Sequence, residues 1–486
     1  MPHAYDILIT GAGPAGCAAA YDLAQAGKRV LLLDKRTFPR PKACACGLTR
    51  KTLTALRYSV DPIVERVCHE IVLQQTSDDP KHREVRVKTR NPICAMAVRE
   101  RFDNFCLHQT LASGRNGGSV ELRKIDTILA LREATGINGL PTHIELDIAF
   151  TESNEQYTET LTTPILIGAD GSNGQTRRLA ASLATSAGAP DLSLLEIGAS
   201  TRAKGNPSAP DPAWYQRGFA LEATIPYSTL PAKLPAGDAP TDLVFDFAPL
   251  PGGYGWLFPK GDHINIGVGT FAPQSKSPTN LNLRSTTNPG APDLSHLEIG
   301  VSTEANLKSV TRQLLADYTL SKLGVALPKE VTGQYLGMGG HAYIPQGRVL
   351  LTGDAAGLVD PLTGEGIHSA IVSGQAAAAA ILETLSISGS NNTVISTEAK
   401  RSGETPVFQG AKNSKDSSVA AAYARHLQPL QETLAFSHRA ARAFYATPER
   451  GFRVMRTPIL RNLVLKTYAD GLPHTKLLTR LAKIVA

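Results

Sequence analysis

Residues 6–34 read DILITGAGPAGCAAAYDLAQAGKRVLLLD, and this stretch decides the fold. The short apolar run from Asp6 to Thr10 is typical of a buried strand. A glycine-rich turn follows, then a helical pattern from Cys17 to Ala26, and then a second strand from Arg29 to Leu33. This order of strand, turn, helix and strand predicts the first unit of a doubly wound sheet that binds a dinucleotide.

Each glycine of this unit, and the aspartate at its end, meets a chemical requirement of a dinucleotide site. Gly11 permits the tight turn, Gly13 lets a diphosphate approach the backbone, and Gly16 lets the helix pack closely on the strand. Asp34, at the end of the second strand, is placed to accept hydrogen bonds from ribose hydroxyls, and its charge disfavours a 2′-phosphate. At this point the residues leave both NAD and FAD open.

Two later segments repeat the pattern of an apolar strand followed by glycine and aspartate. Ile165 to Ala169 leads into GADGS, residues 168–172, and Arg348 to Thr352 leads into GDAAG, residues 353–357. GEGI, residues 364–367, then begins a long alanine-rich helix. Taken singly, each segment is also typical of an ordinary strand-to-helix turn in an α/β protein.

Together, the three motifs resemble those of the hydroxylase-like flavoproteins, in which distant segments converge on one FAD. The resemblance implies that Asp354 binds the ribityl chain and that the amides of Gly366 and Ile367 face the pyrimidine edge of the flavin. A helix N-terminus there favours the negative charge of reduced flavin by about 0.3–2 kcal/mol. Arg99 matches an arginine that contacts the cofactor, and the alternative for it is an ordinary surface salt bridge.

Two further segments resemble the geranylgeranyl reductases. FPRPKACACGLT, residues 38–49, is similar to their FPRxKxCxxGL segment, and GYGWLFPKG, residues 253–261, is similar to their YxWxFPK segment. The resemblance implies an FAD-dependent oxidoreductase that hydrogenates double bonds of a polyprenyl group by hydride transfer from reduced flavin. It leaves open the headgroup of the prenyl-lipid substrate and the electron donor, which is NADPH or a ferredoxin-like protein.

The same resemblance gives three candidate catalytic residues, Cys44, Tyr254 and Trp256. Cys44 corresponds to a cysteine that family members place close to the flavin, where it delivers a proton or positions the substrate. The rings of Tyr254 and Trp256 are expected either to wall a prenyl chain against the flavin or to be ordinary aromatic residues of a sheet core. Cofactor contacts are also expected from three small residues, Ala15, Ala45 and Gly47.

Cys46 departs from the family pattern, since relatives commonly have glycine at this position. A Cys-x-Cys pair is able to bind metal or to act as a redox couple, but two thiols without further ligands nearby argue against zinc. We therefore predict no metal and two reduced thiols beside the cofactor. The six cysteines, all within the first 106 residues, do not form a disulfide framework, which favours a reducing, cytoplasmic setting.

Two other functions fit the same motifs. The first is a flavin-dependent monooxygenase or halogenase on the same fold, although the segment ending at Phe258 and Pro259 matches the halogenase WxWxIP segment only in part. The second is a flavin-containing lipid carrier. Turnover without oxygen distinguishes a reductase from a monooxygenase, and reoxidation of the reduced protein by a prenyl compound distinguishes it from a carrier.

The resemblance implies an α/β fold with a discontinuous, Rossmann-like FAD-binding domain of the hydroxylase type. This domain is expected from residues 1–61, 91–181 and 335–385. An antiparallel-sheet substrate domain is expected from residues 62–90 and 214–334. A helical C-terminal region is expected from residues 418–486.

Three segments interrupt the family pattern and are predicted to be inserted loops: residues 183–213, 274–310 and 386–417. The first two contain copies of one sixteen-residue sequence, residues 188–203 and 290–305, with thirteen identical positions. Such insertions are tolerated because the entropic cost of a loop grows only logarithmically with its length.

The chain of 486 residues is 42% hydrophobic and carries a net charge of +7, a composition that excludes general disorder. Residues 437–486 contain ten Lys or Arg and two acidic residues, so most of the charge lies there. We expect basic amphipathic helices that either cap the catalytic body or contact an anionic membrane surface. Neither a nucleic-acid motif nor a leader is recognised, which predicts a cytoplasmic protein, with a peripheral position at the inner face of the membrane as the alternative.

Overall fold

The computed structural model describes residues 5–75, 83–135, 141–186, 203–206, 208–247, 249–250, 252–270, 304–398 and 418–471. Within these ranges the chain forms nineteen strands and nine α-helices. The strands are β1 (Ile7–Thr10), β2 (Arg29–Asp34), β3 (Gly47–Thr49), β4 (Val64–Cys68), β5 (Glu70–Gln74), β6 (Glu84–Lys88), β7 (Cys94–Ala97), β8 (Ser119–Lys124), β9 (Thr127–Thr135), β10 (Pro141–Glu152), β11 (Glu155–Thr163), β12 (Leu166–Gly168), β13 (Ala203–Gly205), β14 (Gln216–Pro226), β15 (Leu243–Asp246), β16 (Gly253–Pro259), β17 (His263–Thr270), β18 (Thr332–Met338) and β19 (Val349–Leu351). The α-helices are α1 (Pro14–Gln25), α2 (Arg50–Ala55), α3 (Arg99–Leu111), α4 (Thr176–Ser186), α5 (Glu304–Leu323), α6 (Ile367–Glu398), α7 (Val419–Ala446), α8 (Pro448–Arg456) and α9 (Pro458–Asp470).

The three glycine-containing motifs meet at a five-stranded parallel sheet with the strand order β19-β12-β1-β2-β8. The central strand β1 is buried at all four residues, as expected of a parallel strand covered on both faces. Thr10 of β1 pairs with Gly168 of β12, which in turn pairs with Leu351 of β19. The carboxyl ends of these strands therefore lie side by side, and the turns that follow them form one edge of the sheet.

Helices α1 and α6 cross where small residues bring their backbones together. A Cβ atom added to Gly374 of α6 would lie 2.2 Å from the carbonyl oxygen of Ala15 in α1. Helix α7 packs on α6, and the buried hydroxyl of its Tyr423 donates to the carbonyl oxygen of Leu351 at 2.7 Å. The apolar residues of these helices and of the parallel sheet share one core.

A second, seven-stranded sheet has the order β18-β14-β17-β16-β15-β5-β6 and is antiparallel except between β15 and β5. Side chains alternate between its two faces. One face packs against α5 and includes Leu221 and Ile266. The opposite face carries Tyr254 and Trp256 and packs against the C-terminal helices through Phe452. The predicted fold class, with a parallel core, antiparallel sheets and C-terminal helices, is confirmed.

A small three-stranded sheet, β3-β7-β4, joins two segments that were singled out in the sequence. Gly47 at the start of β3 pairs with Met96 of β7, and the N–H of Ala97 donates to the carbonyl oxygen of Cys46 at 3.2 Å. Strand β7 ends two residues before Arg99, which begins α3. The sheet therefore fixes the cysteine-containing loop relative to Arg99. A separate four-stranded sheet, β11-β10-β9-β13, extends from β8 of the parallel sheet.

Parts of the three predicted inserts are regular structure. Helix α4 continues to Ser186, β13 covers Ala203–Gly205, α5 begins at Glu304 and α6 continues to Glu398. The prediction of loops is therefore wrong for residues 183–186, 203–205, 304–310 and 386–398. An existing helix extends at little cost once its first turn has formed, and sequence repeats and polar flanks do not reveal this. The parts of the inserts within 187–202, 271–303 and 399–417 lie outside the described residues.

The C-terminal region is helical from Val419 to Asp470, as α7, α8 and α9. Helix α8 packs against both α7 and α9. Among the described residues, we find no helix that combines the length and the apolar composition needed to cross a bilayer.

The crossing of α1 and α6 generates a stability prediction. We expect Gly374→Ala to lower the free energy of unfolding by about 1–3 kcal/mol, because the added methyl group forces two backbones apart. The intrinsic preference of alanine for helix acts in the opposite direction and is smaller. Chemical denaturation followed by far-ultraviolet circular dichroism measures the difference.

Gly261→Ala is the control, since its added Cβ would meet no atom closer than 3.7 Å. Equal stability of the two variants would show that the helices do not depend on the close approach at Gly374.

Candidate active site

The glycine-rich turn after β1 is shaped by backbone contacts that leave no room for side chains. Gly11 has a φ of +95°, a region that glycine favours, and its N–H donates to the carbonyl oxygen of Leu33 at 2.6 Å. A Cβ atom on Gly16 would lie 1.9 Å from the carbonyl oxygen of Gly11. The turn itself therefore requires glycine at both positions.

Gly13 differs, because its open side faces a group of cations. Its backbone is ordinary, with a φ of −78°, and the nearest atom to an added Cβ is Nη2 of Arg40, at 3.6 Å. Nε of Arg40 is buried and has no hydrogen-bond partner in the described part of the chain. Lys42 lies in the same group, and burial together with the charge of Arg99 lowers its pKa. An open backbone edge beside an unpartnered guanidinium nitrogen fits a diphosphate.

Arg99 is buried in the first turn of α3, with 7% of its surface exposed. Its Nε donates to Asp103 Oδ1 at 2.6 Å, and Arg40 forms an ion pair with Asp103 Oδ2 at 3.2 Å. Burial opposes the charge of Arg99, but Asp103 and the sulfur of Cys44 outweigh it and raise the pKa of Arg99. Arg99 does form an ion pair, but the alternative of a surface salt bridge is wrong because the pair is buried.

The two acids predicted to bind the cofactor differ in their partners. Asp34 Oδ2 accepts the N–H of Ala12 at 2.8 Å, and its Oδ1 accepts the N–H of Arg36 at 2.8 Å, so Asp34 braces the glycine-rich turn. No described residue donates a hydrogen bond to the carboxylate of Asp354, and its Oδ1 would lie 3.4 Å from a Cβ on Gly366. This carboxylate is available to the hydroxyls of a bound group, which fits a ribityl chain.

The segment from Asp360 to Gly366 leads into α6 and is held from two sides. The hydroxyl of Tyr254, from the seven-stranded sheet, donates to the carbonyl oxygen of Thr363. The hydroxyl of Tyr445, from α7, donates to the carbonyl oxygen of Leu362 at 2.8 Å. The amides of Gly366 and Ile367 lie at the amino end of α6, where N–H groups have no acceptor within the helix.

Glu365 ties the same segment to the residues that follow the cysteine-containing loop. Its Oε1 accepts a hydrogen bond from Thr49 Oγ1 at 2.8 Å, and its Oε2 forms an ion pair with Lys51 at 2.5 Å. The amino end of α6 and the loop of residues 38–49 are therefore joined by side chains as well as by packing.

Cys44 lies at the centre of the charged groups. Its N–H donates to Glu222 Oε1 at 2.8 Å, and its Sγ accepts the N–H of Cys46 at 3.4 Å. A hydrogen bond from the Cys46 side chain holds the pKa of Cys44 well below its ordinary value, against the effect of burial and with help from Arg99. Burial, aided by the nearby Cys44, raises the pKa of Glu222 to about 8. The site thus combines a sulfur prone to ionise with a carboxyl group that holds its proton near neutral pH.

Tyr254 and Trp256 are both packed in the core of the sheet. Their ring centroids lie 6.1 Å apart within a larger aromatic cluster. Trp256 Nε1 donates to Asn265 Oδ1 at 2.7 Å, and a Cβ on Gly267 would lie only 2.0 Å from the indole. The alternative of sheet-core aromatic residues therefore describes their packing, while the hydroxyl of Tyr254 additionally reaches the segment before α6.

The three small residues predicted to contact the cofactor lie at different parts of the site. Ala15 is buried in α1, and a Cβ on Gly353 would lie 3.2 Å from its methyl group, so the first and third motifs touch. Ala45 accepts a hydrogen bond from Lys260 Nζ through its carbonyl oxygen. A Cβ on Gly47 would meet its nearest atoms, which include Sγ of Cys94, only at 3.7 Å.

Sequence reasoning missed three contributors, Glu222, Asp103 and Asn265, and assigned no role to Lys260. Lys260 is buried, and its Nζ also donates to the carbonyl oxygen of Ala97 at 2.7 Å. A signal existed for two of these residues. Glu222 is an acid within the apolar strand FALEATI, and Asp103 lies one helical turn after Arg99.

Comparison with known proteins finds a matching family model and related sequences. Residues 6–130 match the family model described as FAD dependent oxidoreductase. Digeranylgeranylglycerophospholipid reductase 3 of Methanosphaera stadtmanae is 26% identical over 378 residues, which cover 76% of this chain and 76% of that protein. Geranylgeranyl diphosphate reductase of Rhodobacter capsulatus is 25% identical over 384 residues, which cover 78% and 76%.

Solved structures give the same fold. A geranylgeranyl bacteriochlorophyll reductase-like protein of Thermoplasma acidophilum aligns with a TM-score of 0.60 and 16% identity over 99% of both chains. A flavin-dependent brominase aligns with a TM-score of 0.61 and 14% identity over 99% of this chain and 97% of that one. At these identities the similarity shows the fold alone.

The fold, the converging motifs and the matching family model define the chain as an FAD-dependent oxidoreductase. More narrowly, its predicted resemblance to the geranylgeranyl reductase family is confirmed. The prediction of FAD as cofactor is confirmed as well. The described residues fit it, with Gly13 and Arg40 placed for the diphosphate and Asp354 for the ribityl chain.

The different surroundings of Gly13 and Gly16 generate a prediction about cofactor binding. We expect Gly13→Ala to leave the stability of the apoprotein unchanged and to weaken FAD binding by about tenfold or more, equivalent to about 1.4 kcal/mol. The reason is that its methyl group would fill the open space in front of Arg40 without touching the fold. Quenching of flavin fluorescence measures the affinity, and denaturation of the apoprotein measures the stability.

Gly16→Ala is the matched variant and is expected to destabilise the apoprotein itself, because its methyl group would overlap the backbone of Gly11. Wild-type FAD affinity in Gly13→Ala would exclude the position assigned to the diphosphate.

Proposed function

We propose that the protein is a reductase that hydrogenates carbon–carbon double bonds of a polyprenyl group. The observation that carries the proposal is the meeting of three features in one region: the ionisable sulfur of Cys44, the aromatic face around Tyr254, and the amino end of α6. Tyr254 bonds to Thr363 just before α6 and lies within electrostatic reach of Cys44. The names of both curated relatives contain a geranylgeranyl group, which supports a substrate of this class.

Reduced FAD, when bound, supplies the hydride for one alkene carbon, and the protein has to orient the alkene, exclude water and supply a proton. An alkene offers no polar atom for recognition, so its orientation has to come from shape and apolar contact. Rings of the cluster around Tyr254 provide such a surface, including Phe245 and Phe258, whose centroids lie 5.1 Å apart. Burial of this surface keeps water from the reacting atoms.

The other alkene carbon needs a proton, and we assign its final delivery to Sγ of Cys44, which takes up a proton before it passes it on because this sulfur is prone to ionise. The thiolate left behind is stabilised by the N–H of Cys46 and by the guanidinium of Arg99. Glu222 holds the loop by accepting the N–H of Cys44. Cys44 is thus the proposed catalytic acid, and Tyr254 and Trp256 are proposed to shape the surface on which the prenyl chain lies.

The thiol also favours a reductase over a flavin monooxygenase or halogenase. A cysteine of low pKa is readily oxidised to sulfenic and higher acids. An enzyme that handled activated oxygen beside Cys44 would inactivate itself, whereas hydride and proton transfer leave the sulfur unchanged.

The proposal predicts turnover without oxygen. We expect the holoenzyme, reduced with dithionite under anaerobic conditions, to add two hydrogens per double bond to at least one of a geranylgeranyl diphosphate, a geranylgeranyl ether lipid and a prenylated quinone, as measured by mass spectrometry. Cys44→Ala is expected to lower the rate by about 10²-fold or more, because general acid catalysis typically contributes that much.

Cys106→Ala is the matched control, a buried thiol that lies in the core of the parallel sheet and is expected to retain activity. No mass gain with any substrate would refute the proposed reaction, and turnover that requires oxygen would establish the monooxygenase. The compound that reacts identifies the headgroup, and replacing dithionite by NADPH or reduced ferredoxin identifies the electron donor.

We further propose that the C-terminal helices bring the protein to an anionic membrane surface, where a prenyl lipid resides. Ile459, at the start of α9, is 80% exposed. Exposed cations lie around it in sequence, at Arg450 and Arg453 of α8 and Lys466 of α9. An apolar side chain that inserts, flanked by basic side chains that meet lipid phosphates, is the usual pattern of interfacial helices.

This proposal predicts that the protein sediments with vesicles of phosphatidylglycerol and much less with vesicles of phosphatidylcholine, because each basic residue near the surface contributes about 1 kcal/mol. Ile459→Ser is expected to lower the bound fraction. Ile344→Ser is the control, since Ile344 is 71% exposed but lies outside these helices. Equal loss of binding in both variants, or equal binding to both vesicle types, would contradict the surface contact.

A further inference from the structure

Cys46 has an unusual backbone for a residue with a side chain. Its φ is +50°, in the left-handed region that glycine favours and other residues rarely adopt. Its side chain is buried, with 1% of the residue exposed. A position of this kind accepts glycine without strain, so a cysteine there calls for an explanation in its contacts.

The contacts of Cys46 are directed at Cys44. The N–H of Cys46 donates to Cys44 Sγ at 3.4 Å, and hydrogen bonding with the Cys46 side chain is the main cause that lowers the pKa of the same sulfur. The two residues affect each other in opposite directions. The pKa of Cys44 lies well below its ordinary value, whereas the hydrogen bond to Cys44, together with burial, holds the pKa of Cys46 well above it.

Charged groups from three other elements face this pair. Lys260, after β16, donates from Nζ to the carbonyl oxygens of Ala45 and Ala97, and its charge acts on Cys46. Arg99 of α3 acts on both sulfurs, and Glu222 of β14 accepts the N–H of Cys44. Two buried cations therefore surround a site in which one sulfur negative charge is stable.

From these contacts we propose that Cys44 and Cys46 share one proton and act together as the acid of the site, with Cys46 positioned to supply a proton to Cys44. The destination of the proton rests on the proposed function. In each cycle one S–H bond of the pair breaks and its proton goes to the alkene carbon that does not receive hydride. The pair regains a proton from solvent water, and neither sulfur changes its oxidation state.

The thiol of Cys46 has a role that a glycine at this position does not supply. Cys44 rests as the thiolate and Cys46 as the thiol, so Cys46 supplies the shared proton to Cys44, which passes it to the alkene carbon before the pair takes up another proton from water. A substrate with several double bonds needs one such proton transfer for each bond. Cys46 is accordingly a positioning residue that acts through Cys44, and Cys44 remains the residue that touches the substrate.

The test compares Cys46→Gly and Cys46→Ser with the wild type. Glycine suits the φ of +50° and removes the thiol, while serine keeps a hydroxyl donor at the same place. The backbone N–H of residue 46 remains in all three proteins, so the comparison isolates the side chain. The readout is the rate of iodoacetamide alkylation of Cys44 in the reduced holoprotein as a function of pH, with the modified cysteine assigned by fragment-ion mass spectrometry.

We expect Cys46→Gly to raise the pH midpoint of Cys44 alkylation by about one unit or more, equivalent to about tenfold less thiolate below the midpoint. Cys46→Ser is expected to restore part of that shift. An unchanged midpoint in Cys46→Gly, or a serine variant that behaves like the glycine variant, would overturn the proposal. Because the alkylation needs no substrate, it tests the thiol pair even if the proposed reduction fails.

Discussion

Contact between backbones at glycine is the constraint on which the rest of this structure depends. The turn after β1 closes only because Gly11 lies against Ala169, whose carbonyl oxygen would be 2.3 Å from an added Cβ. The same holds at Gly337, where an added Cβ would be 2.1 Å from the carbonyl oxygen of Asp354. Each of these contacts joins segments that are far apart in the chain. Without them the carboxyl edge of the parallel sheet and the seven-stranded sheet would not meet.

The meeting of the two sheets determines the electrostatics of the site. Four cationic side chains, Arg40, Lys42, Arg99 and Lys260, come together there, and Asp103 balances part of the charge. Removing cations from water is costly unless they are paired. The remaining positive charge favours anionic groups, in agreement with the proposed diphosphate position at Gly13 and with the ionisable sulfur of Cys44.

The sequence predicted the parts of this site that are governed by local rules. Gly11, Gly16 and Asp34 follow from the chemistry of a strand-to-helix turn, and the structure places all three in that turn. Glu222 and Lys260 were not assigned roles, because their partners are the main chain of Cys44, Ala45 and Ala97, and main-chain partners leave no trace in side-chain patterns. The extent of α5 and α6 was underestimated for a related reason, since repeated and polar sequence does not by itself end a helix.

Two tyrosine hydroxyls hold the segment before α6 and connect it to distant parts of the chain. They bind the carbonyl oxygens of neighbouring residues, Leu362 and Thr363, from two different parts of the molecule. The seven-stranded sheet and the C-terminal helix α7 therefore both help to set the position of the first turn of α6. A force on α7 is therefore transmitted through the Tyr445 hydroxyl to the amino end of α6, whose amides are proposed to face the flavin. The C-terminal helices thus help to set the geometry of the proposed cofactor contact, in addition to packing on the rest of the molecule.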